Sequence, residues 1–247
     1  MNRTLAIGLA VGAGVGLGVT AGLIARRSRR DPTGQRELPV DEQDDMTAEL
    51  PPDIVPPKPA GAPFAEGLAR PLWPLRTRHP RAGEVSYRGV DGTVRGNWAR
   101  RFAAPRSGSS GKRNHAGVDL YAFAGDEVLA MADGVVTAVQ SFHLGSWAIF
   151  VDHGPVAIMY GEVERGSWGR LGLDVGSKVS AGQPIASVAC MVRDAAGKCT
   201  SHMLHLEAYA PGTTRNQRWY VGKPAPAALR DPSLLLLLAS QSGERVA

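Results

Sequence analysis

An imidazole and a carboxylate four residues apart, in His115-Ala116-Gly117-Val118-Asp119, are the clearest candidates for chemistry in this chain. They alternate with small or apolar residues. On an extended strand His115, Gly117, Asp119 and Tyr121 therefore share one face, and Ala116, Val118 and Leu120 the other. A straight strand would hold His115 and Asp119 about 13 Å apart at roughly 3.3 Å per residue, too far for two ligands of one ion. The backbone has to bend between them, and Gly117 is the residue that tolerates a bend. A second source of ligands is Ser201-His202-Met203-Leu204-His205-Leu206-Glu207, where His205 shares a face with Met203 and Glu207 while Leu204 and Leu206 point into a core. Two imidazoles and one carboxylate suit Zn²⁺, and three protein ligands leave a fourth position for water, the arrangement of a catalytic site.

Residues in that arrangement need a rigid frame, and the pattern supplies short strands. Alternation from about Val85 onward predicts strands at Glu127 to Met131, Gly134 to Ser141, Trp147 to Asp152, Val156 to Glu162, Pro184 to Ala189 and Leu204 to Tyr209. Thirty glycines and eighteen prolines in 247 residues, with few aromatics, agree with many turns and little helix. Two pieces look alike: Ala124-Gly125-Asp126-Glu127-Val128 with Ala132-Asp133-Gly134-Val135-Val136, and Val175-Gly176-Ser177-Lys178-Val179 with Ala181-Gly182-Gln183-Pro184-Ile185. A duplicated hairpin in a mainly β, antiparallel sandwich is the simplest account. The Trp/Tyr- and Pro-containing tail ends in Asp231-Pro232-Ser233 and five leucines, where Asp or Ser could cap a short helix that closes the core.

Ahead of this domain (81–247) the composition changes twice. Leu5 to Ala25 is small and apolar with Thr20 its one polar residue, which predicts an N-terminal transmembrane helix over residues 1–30 with a basic flank, Arg26 to Arg30. That flank argues against a cleaved signal peptide. It would also hold the chain on the cytoplasmic side by the positive-inside rule, in conflict with an envelope location; packing inside a virion is a third alternative. Gly12/Gly16, Gly14/Gly18 and Gly18/Gly22 have the small-xxx-small spacing of a helix-mediated dimer. Residues 31–80, acidic and then Pro-rich, read as an extended linker.

The stretch from about Asn97 to Tyr209 resembles the lysostaphin/LytM-type zinc endopeptidases, which cleave peptide bonds in bacterial cell-wall peptidoglycan. The resemblance rests on five blocks in matching order and spacing: Arg113-Asn114-His115-Ala116-Gly117-Val118-Asp119-Leu120-Tyr121; Ala132-Asp133-Gly134-Val135-Val136; Val151-Asp152-His153-Gly154 followed by Tyr160-Gly161; Val179 with Ala181-Gly182-Gln183; and Leu204-His205-Leu206-Glu207. It implies two related β motifs packed as a sandwich, one Zn²⁺ held by His115, Asp119 and His205, and peptidoglycan as partner. Two further histidines of that family are replaced here by Met203 and Glu162. His202 lies one residue off the first position, on the opposite face of a regular strand. Glu162 is the expected general base, since a carboxylate can take that role beside a zinc ion. Met203 can neither move a proton nor stabilise charge, which leaves the oxyanion to the zinc and to Tyr160.

Other residues have blander readings. His153, in an Asp-His-Gly turn, is expected to make structural hydrogen bonds, Glu207 to orient His205, and His79 and His143 to lie on the surface. Cys190 and Cys199 could close a small loop as a disulfide or stay free thiols. A net charge of +5 and a pI near 9.5 favour anionic partners. The basic runs, however, lack an aromatic platform or a DNA-reading motif, which argues against nucleic acid. A zinc hydrolase of peptidoglycan peptides is therefore the leading expectation. The alternative is a weak or inactive zinc-binding domain that binds the wall or regulates a partner hydrolase. A biotinyl or lipoyl carrier lacks support, because Lys178 has no Met-Lys setting.

Overall fold

The structure, a computed structural model, describes residues 62–89, 91–107 and 112–241. A seven-stranded antiparallel sheet organises them. Lys178–Val179 lies at one edge, followed by Gly134–Ser141, Trp147–Asp152, Ala157–Val163 and Leu204–Tyr209. The last strand is long enough to take two partners in succession along its outer side, Gly117–Leu120 against Leu204 to Glu207 and Leu229–Arg230 against Ala208 and Tyr209. Three of the expected strands, Gly134–Ser141, Trp147–Asp152 and Leu204–Tyr209, have the expected bounds, and the other three shift by one or two residues. Apolar residues on both faces bury Trp147–Asp152 and Ala157–Val163 almost wholly, with Ile149, Phe150, Ile158, Met159 and Tyr160 fully enclosed.

The two similar hairpins pair crosswise. Glu127–Leu129 of the first joins Pro184–Ser187 of the second in a three-stranded sheet, while Gly134–Ser141 of the first joins Lys178–Val179 of the second in the large one. Each repeat thus completes the other's ladder. Leu75–Arg76 adds the third strand of the smaller sheet, opposite Val128 and Glu127. The extended linker expected over 31–80 therefore needs correction at its end. From residue 62 the chain packs on the domain, burying Ala62, Ala65, Trp73 and Leu75 and bonding the Leu72 N–H to the Met131 carbonyl at 2.8 Å. Prolines hide this in the sequence by breaking periodicity, although the apolar residues between them carry enough surface to dock. Leu5 to Ala25, the expected membrane helix, lies outside the described residues, and among those described no helix is long and apolar enough to cross a membrane.

Ser233–Gln241 forms the expected C-terminal helix, packed through Leu235, Leu236 and Leu237. The Asp231 carboxylate accepts the Ser233 N–H at 2.9 Å, satisfying one amide at the start of the helix. Cys190 and Cys199 form a disulfide at the base of the hairpin Val192–Arg193/Cys199–Ser201.

Gly117 serves a purpose other than the bend anticipated for it. Its φ is not left-handed, and it sits inside a strand. A Cβ there would lie 2.3 Å from the Leu206 carbonyl oxygen, so glycine is required by the close approach of the two backbones. The bend itself falls just before it. Arg113–Asn114 pairs in a separate small sheet with Pro105–Arg106 and Trp219–Tyr220, and the chain changes sheets at His115. Gly117→Ala should destabilise the domain by about 3 kcal/mol, the upper range for overpacking against atoms that cannot move aside. A thermal-unfolding comparison would check this.

Candidate metal centre and active site

The ladder between Gly117–Leu120 and Leu204–Tyr209 puts Asp119 directly opposite His205, with both side chains on the same face. The third member, His115, is brought over by the change of sheets. Its N–H donates to the Ala104 carbonyl and its carbonyl accepts the Ala103 N–H, both at 2.8 Å. The Nε2 of His115 and the Nδ1 of His205 lie 3.0 Å apart, and Oδ1 of Asp119 lies 3.0 Å from the first and 2.8 Å from the second. These three expected ligands come from positions up to 90 residues apart in the chain and are only 5–6% exposed. A tetrahedral zinc with bonds near 2.0 Å holds its ligand atoms about 3.3 Å apart, so the triangle fits that ion with shifts of about half an ångström.

Each candidate ligand is oriented by a partner on its far side. His115 Nδ1 meets the Arg101 carbonyl oxygen at 2.8 Å and His205 Nε2 meets Glu207 Oε1 at 2.9 Å, which leaves the other ring nitrogen of each facing the centre. The Tyr209 hydroxyl donates to the second oxygen of Glu207 and accepts the Gln217 N–H at 2.9 Å. Glu207 therefore orients His205, as expected. Asp119 Oδ2 accepts from Arg106 at 2.7 Å, leaving Oδ1 toward the imidazoles. Burial alone would lower the His205 imidazole, but the hydrogen bonds and charges of Asp119 and Glu207 outweigh it and push it up to about 10. Burial likewise would raise Asp119, and the two histidines hold it well below the usual carboxylate range. The field at the centre favours a cation.

Glu162 breaks the regular alternation of its strand. Gly161 is paired with His205 and therefore faces the site, so in a regular strand Glu162 would point with Tyr160 into the core. Instead the register against Trp147–Asp152 shifts between Gly161 and Val163, and Glu162 adopts a left-handed φ of 62°. A bulge re-aims a side chain in this way. The Glu162 carboxyl is buried, its Oε2 has no hydrogen-bond partner, and burial raises it to about 7. The charges of His205 and Asp119 both act on it, in opposite directions.

Other residues separate from the site. Tyr160, expected near the oxyanion, is fully buried with its hydroxyl 2.9 Å from the Met131 N–H and 3.0 Å from His153 Nε2, so it braces the core instead of facing the centre. His153 completes that contact through Nδ1 and the Asp133 carbonyl at 3.0 Å, a structural role as expected. His202 turns away, 2.6 Å from the Ala122 carbonyl, and does not replace the histidine missing at Met203. His79 stacks on Tyr121 at 5.2 Å and meets the Phe123 ring at a tilt at 4.9 Å. Sequence reasoning missed Arg106, the Arg101 carbonyl and Phe142, whose ring stacks on His205 at 5.4 Å. None carries a periodic signal that would have marked it.

The profile of peptidase family M23 matches residues 113–217, which contain all three candidate ligands and Glu162. The likeness to that family covers under half of the chain. No curated protein matches it. Among solved structures it is similar to Csd3 of Helicobacter pylori, at 19% identity over 65% of this chain and 38% of that one, with a TM-score of 0.37. It is also similar to a zinc containing peptidase from Vibrio cholerae, at 19% identity over 60% and 36%, TM-score 0.32. A third is the catalytic domain of the antimicrobial peptidase lysostaphin from Staphylococcus simulans, at 19% identity over 55% and 87%, TM-score 0.39. The chain thus spans little more than a third of the length of the first two.

Two substitutions test the site's construction. Glu207→Gln should weaken zinc binding about tenfold by loosening His205, measured by competition with a chromogenic chelator. Glu162→Gly should raise the melting temperature, because it removes a left-handed non-glycine residue that costs about 1 kcal/mol and a carboxyl lacking a partner.

Proposed function

We propose that the M23-like domain hydrolyses peptide bonds of bacterial peptidoglycan, with His115, Asp119 and His205 holding one Zn²⁺ and Glu162 acting as general base. The observation that supports this reading is the Glu162 bulge: a strained backbone next to Gly161, which pairs with His205, carries a buried carboxyl with an unpartnered oxygen on which the charges of His205 and Asp119 act. A domain that bound the wall without cutting it would have no use for that carboxyl. Zinc, when bound, supplies a Lewis acid that polarises water and the peptide carbonyl. Glu162 takes the proton from the attacking water and returns it to the leaving nitrogen. Glu207 and the Arg101 carbonyl keep both imidazoles in the tautomers that face the centre. The domain's place is the cell envelope, held to a membrane by Leu5 to Ala25, whose glycines would also support a helix-mediated dimer.

The test is release of soluble muropeptides from purified peptidoglycan by the zinc-loaded full-length chain. The parent should release them, and His115→Ala and Glu162→Gln should fall by about a hundredfold or more, the scale of a lost base. No release by a chain that still holds one zinc would favour a wall-binding or regulatory domain instead.

The pH profile is a separate check. A base must be ionised, so activity should rise with pH through the Glu162 carboxyl, at or below about 7, because a cation in the site draws it down from the value that burial sets. The effect on stability has the opposite sign. A carboxyl raised by folding stabilises at low pH, and that contribution is lost as pH rises from the ordinary glutamate range through about 7.

A further inference from the structure

We infer that Arg100 supplies the positive hydrogen-bond donor that Met203 cannot, binding the scissile carbonyl oxygen as it gains charge. This deepens the hydrolase reading above and rests on it. Met203 stands two residues before His205 and one before the strand Leu204–Tyr209 begins; where the chain continues extended, its side chain falls on the His205 face, about 7 Å along. Arg100 lies against that position, with Nη1 3.9 Å from the Met203 sulfur and the guanidinium 4.1 Å from the centre of the Tyr121 ring. Tyr121 in turn is two residues from Asp119. The guanidinium therefore touches two residues that each stand two positions from a candidate ligand, one of them a thioether that has nothing to donate.

Its bonding is incomplete. A guanidinium has five N–H donors, and a thioether is a weak acceptor. Among the described residues no carboxylate or carbonyl accepts from the Arg100 side chain. Arg106, by contrast, is occupied by Asp119 Oδ2 at 2.7 Å. Arg100 is also held in place: its carbonyl accepts the Asp119 N–H at 2.9 Å, its own N–H donates to the Asn97 carbonyl at 3.1 Å, and Tyr121 stacks beneath the charge. The Arg100 charge is among those that act on the Glu162 carboxyl. Arg100 lies before the matched segment 113–217 and is not one of its residues.

In the step this serves, the water oxygen bonds to the carbonyl carbon and its proton passes to Glu162. The carbonyl π pair moves onto oxygen, where Arg100 donates to it. Collapse re-forms the carbonyl, breaks the C–N bond and sends the Glu162 proton to the departing nitrogen. Nothing beyond water is consumed.

The experiment uses the zinc-loaded full-length chain with Arg100→Ala and Arg100→Lys, measuring zinc content, kcat and KM on a soluble muropeptide, and calorimetric binding of inorganic phosphate and of acetate. For Arg100→Ala, kcat should fall about 100-fold with KM within about twofold, the pattern of a donor that acts in the transition state. Phosphate, a tetrahedral oxyanion, should bind at least about tenfold more weakly with acetate little changed, zinc content should hold, and lysine should restore part of the loss. A raised KM at constant kcat, equal losses for phosphate and acetate, or no change would overturn the inference. If the parent cuts nothing, the hydrolase reading falls and with it the role of Arg100 at a scissile carbonyl; Arg100-dependent phosphate binding would keep only Arg100 as an oxyanion donor, and Arg100-independent or absent binding overturns that as well.

Discussion

The backbone ladder that sets Asp119 across from His205 is the constraint on which the site depends. Directly opposed residues on antiparallel strands share a face at a separation fixed by main-chain hydrogen bonds, so two of the three candidate ligands need no loop to find each other. The same register explains Gly117, which meets the Leu206 carbonyl, and Glu207, which stands one step beyond His205. His115 alone enters from outside the sheet, which is why the chain changes sheets at that residue.

Charge is concentrated within this frame at some cost. Asp119, Glu207 and Glu162 are all buried, and the first two are compensated by imidazoles, Arg106 and the Tyr209 hydroxyl. Glu162 is the exception, with one unpartnered oxygen and a left-handed backbone. Cores normally reject both features, and their coincidence next to Gly161, the partner of His205 in the ladder, is what supports Glu162 as the base.

The strands and the three candidate ligands were legible because each depends on a short-range pattern: alternation for the strands, and paired His and Asp on polar faces for the ligands. Glu162 could be placed only through family resemblance, since a bulge changes which face a residue occupies and leaves no mark in the alternation. Tyr160, by contrast, follows the regular alternation into the core, away from the oxyanion expected of it. Arg100 and Arg106 lay in a stretch of turns and two-residue strands where nothing in the spacing separates one arginine from another. The packed segment from residue 62 was hidden by its prolines, while Trp73 and Leu75 were the sign of docking. The crosswise pairing of the two repeats was half visible: similarity showed the duplication, and the exchange of partners is a three-dimensional fact.

The distance along the chain between the candidate ligands has a consequence for biogenesis. Asp119 and His205 are separated by 86 residues, and the strand that carries His205 is the last long one to be made. A nascent chain therefore holds two of the three candidate ligands until Leu204–Tyr209 docks between Ala157–Val163 and Gly117–Leu120. Metal capture would thus be a late event that reports completed topology, and by binding only the finished sheet the ion would draw the last strand into place.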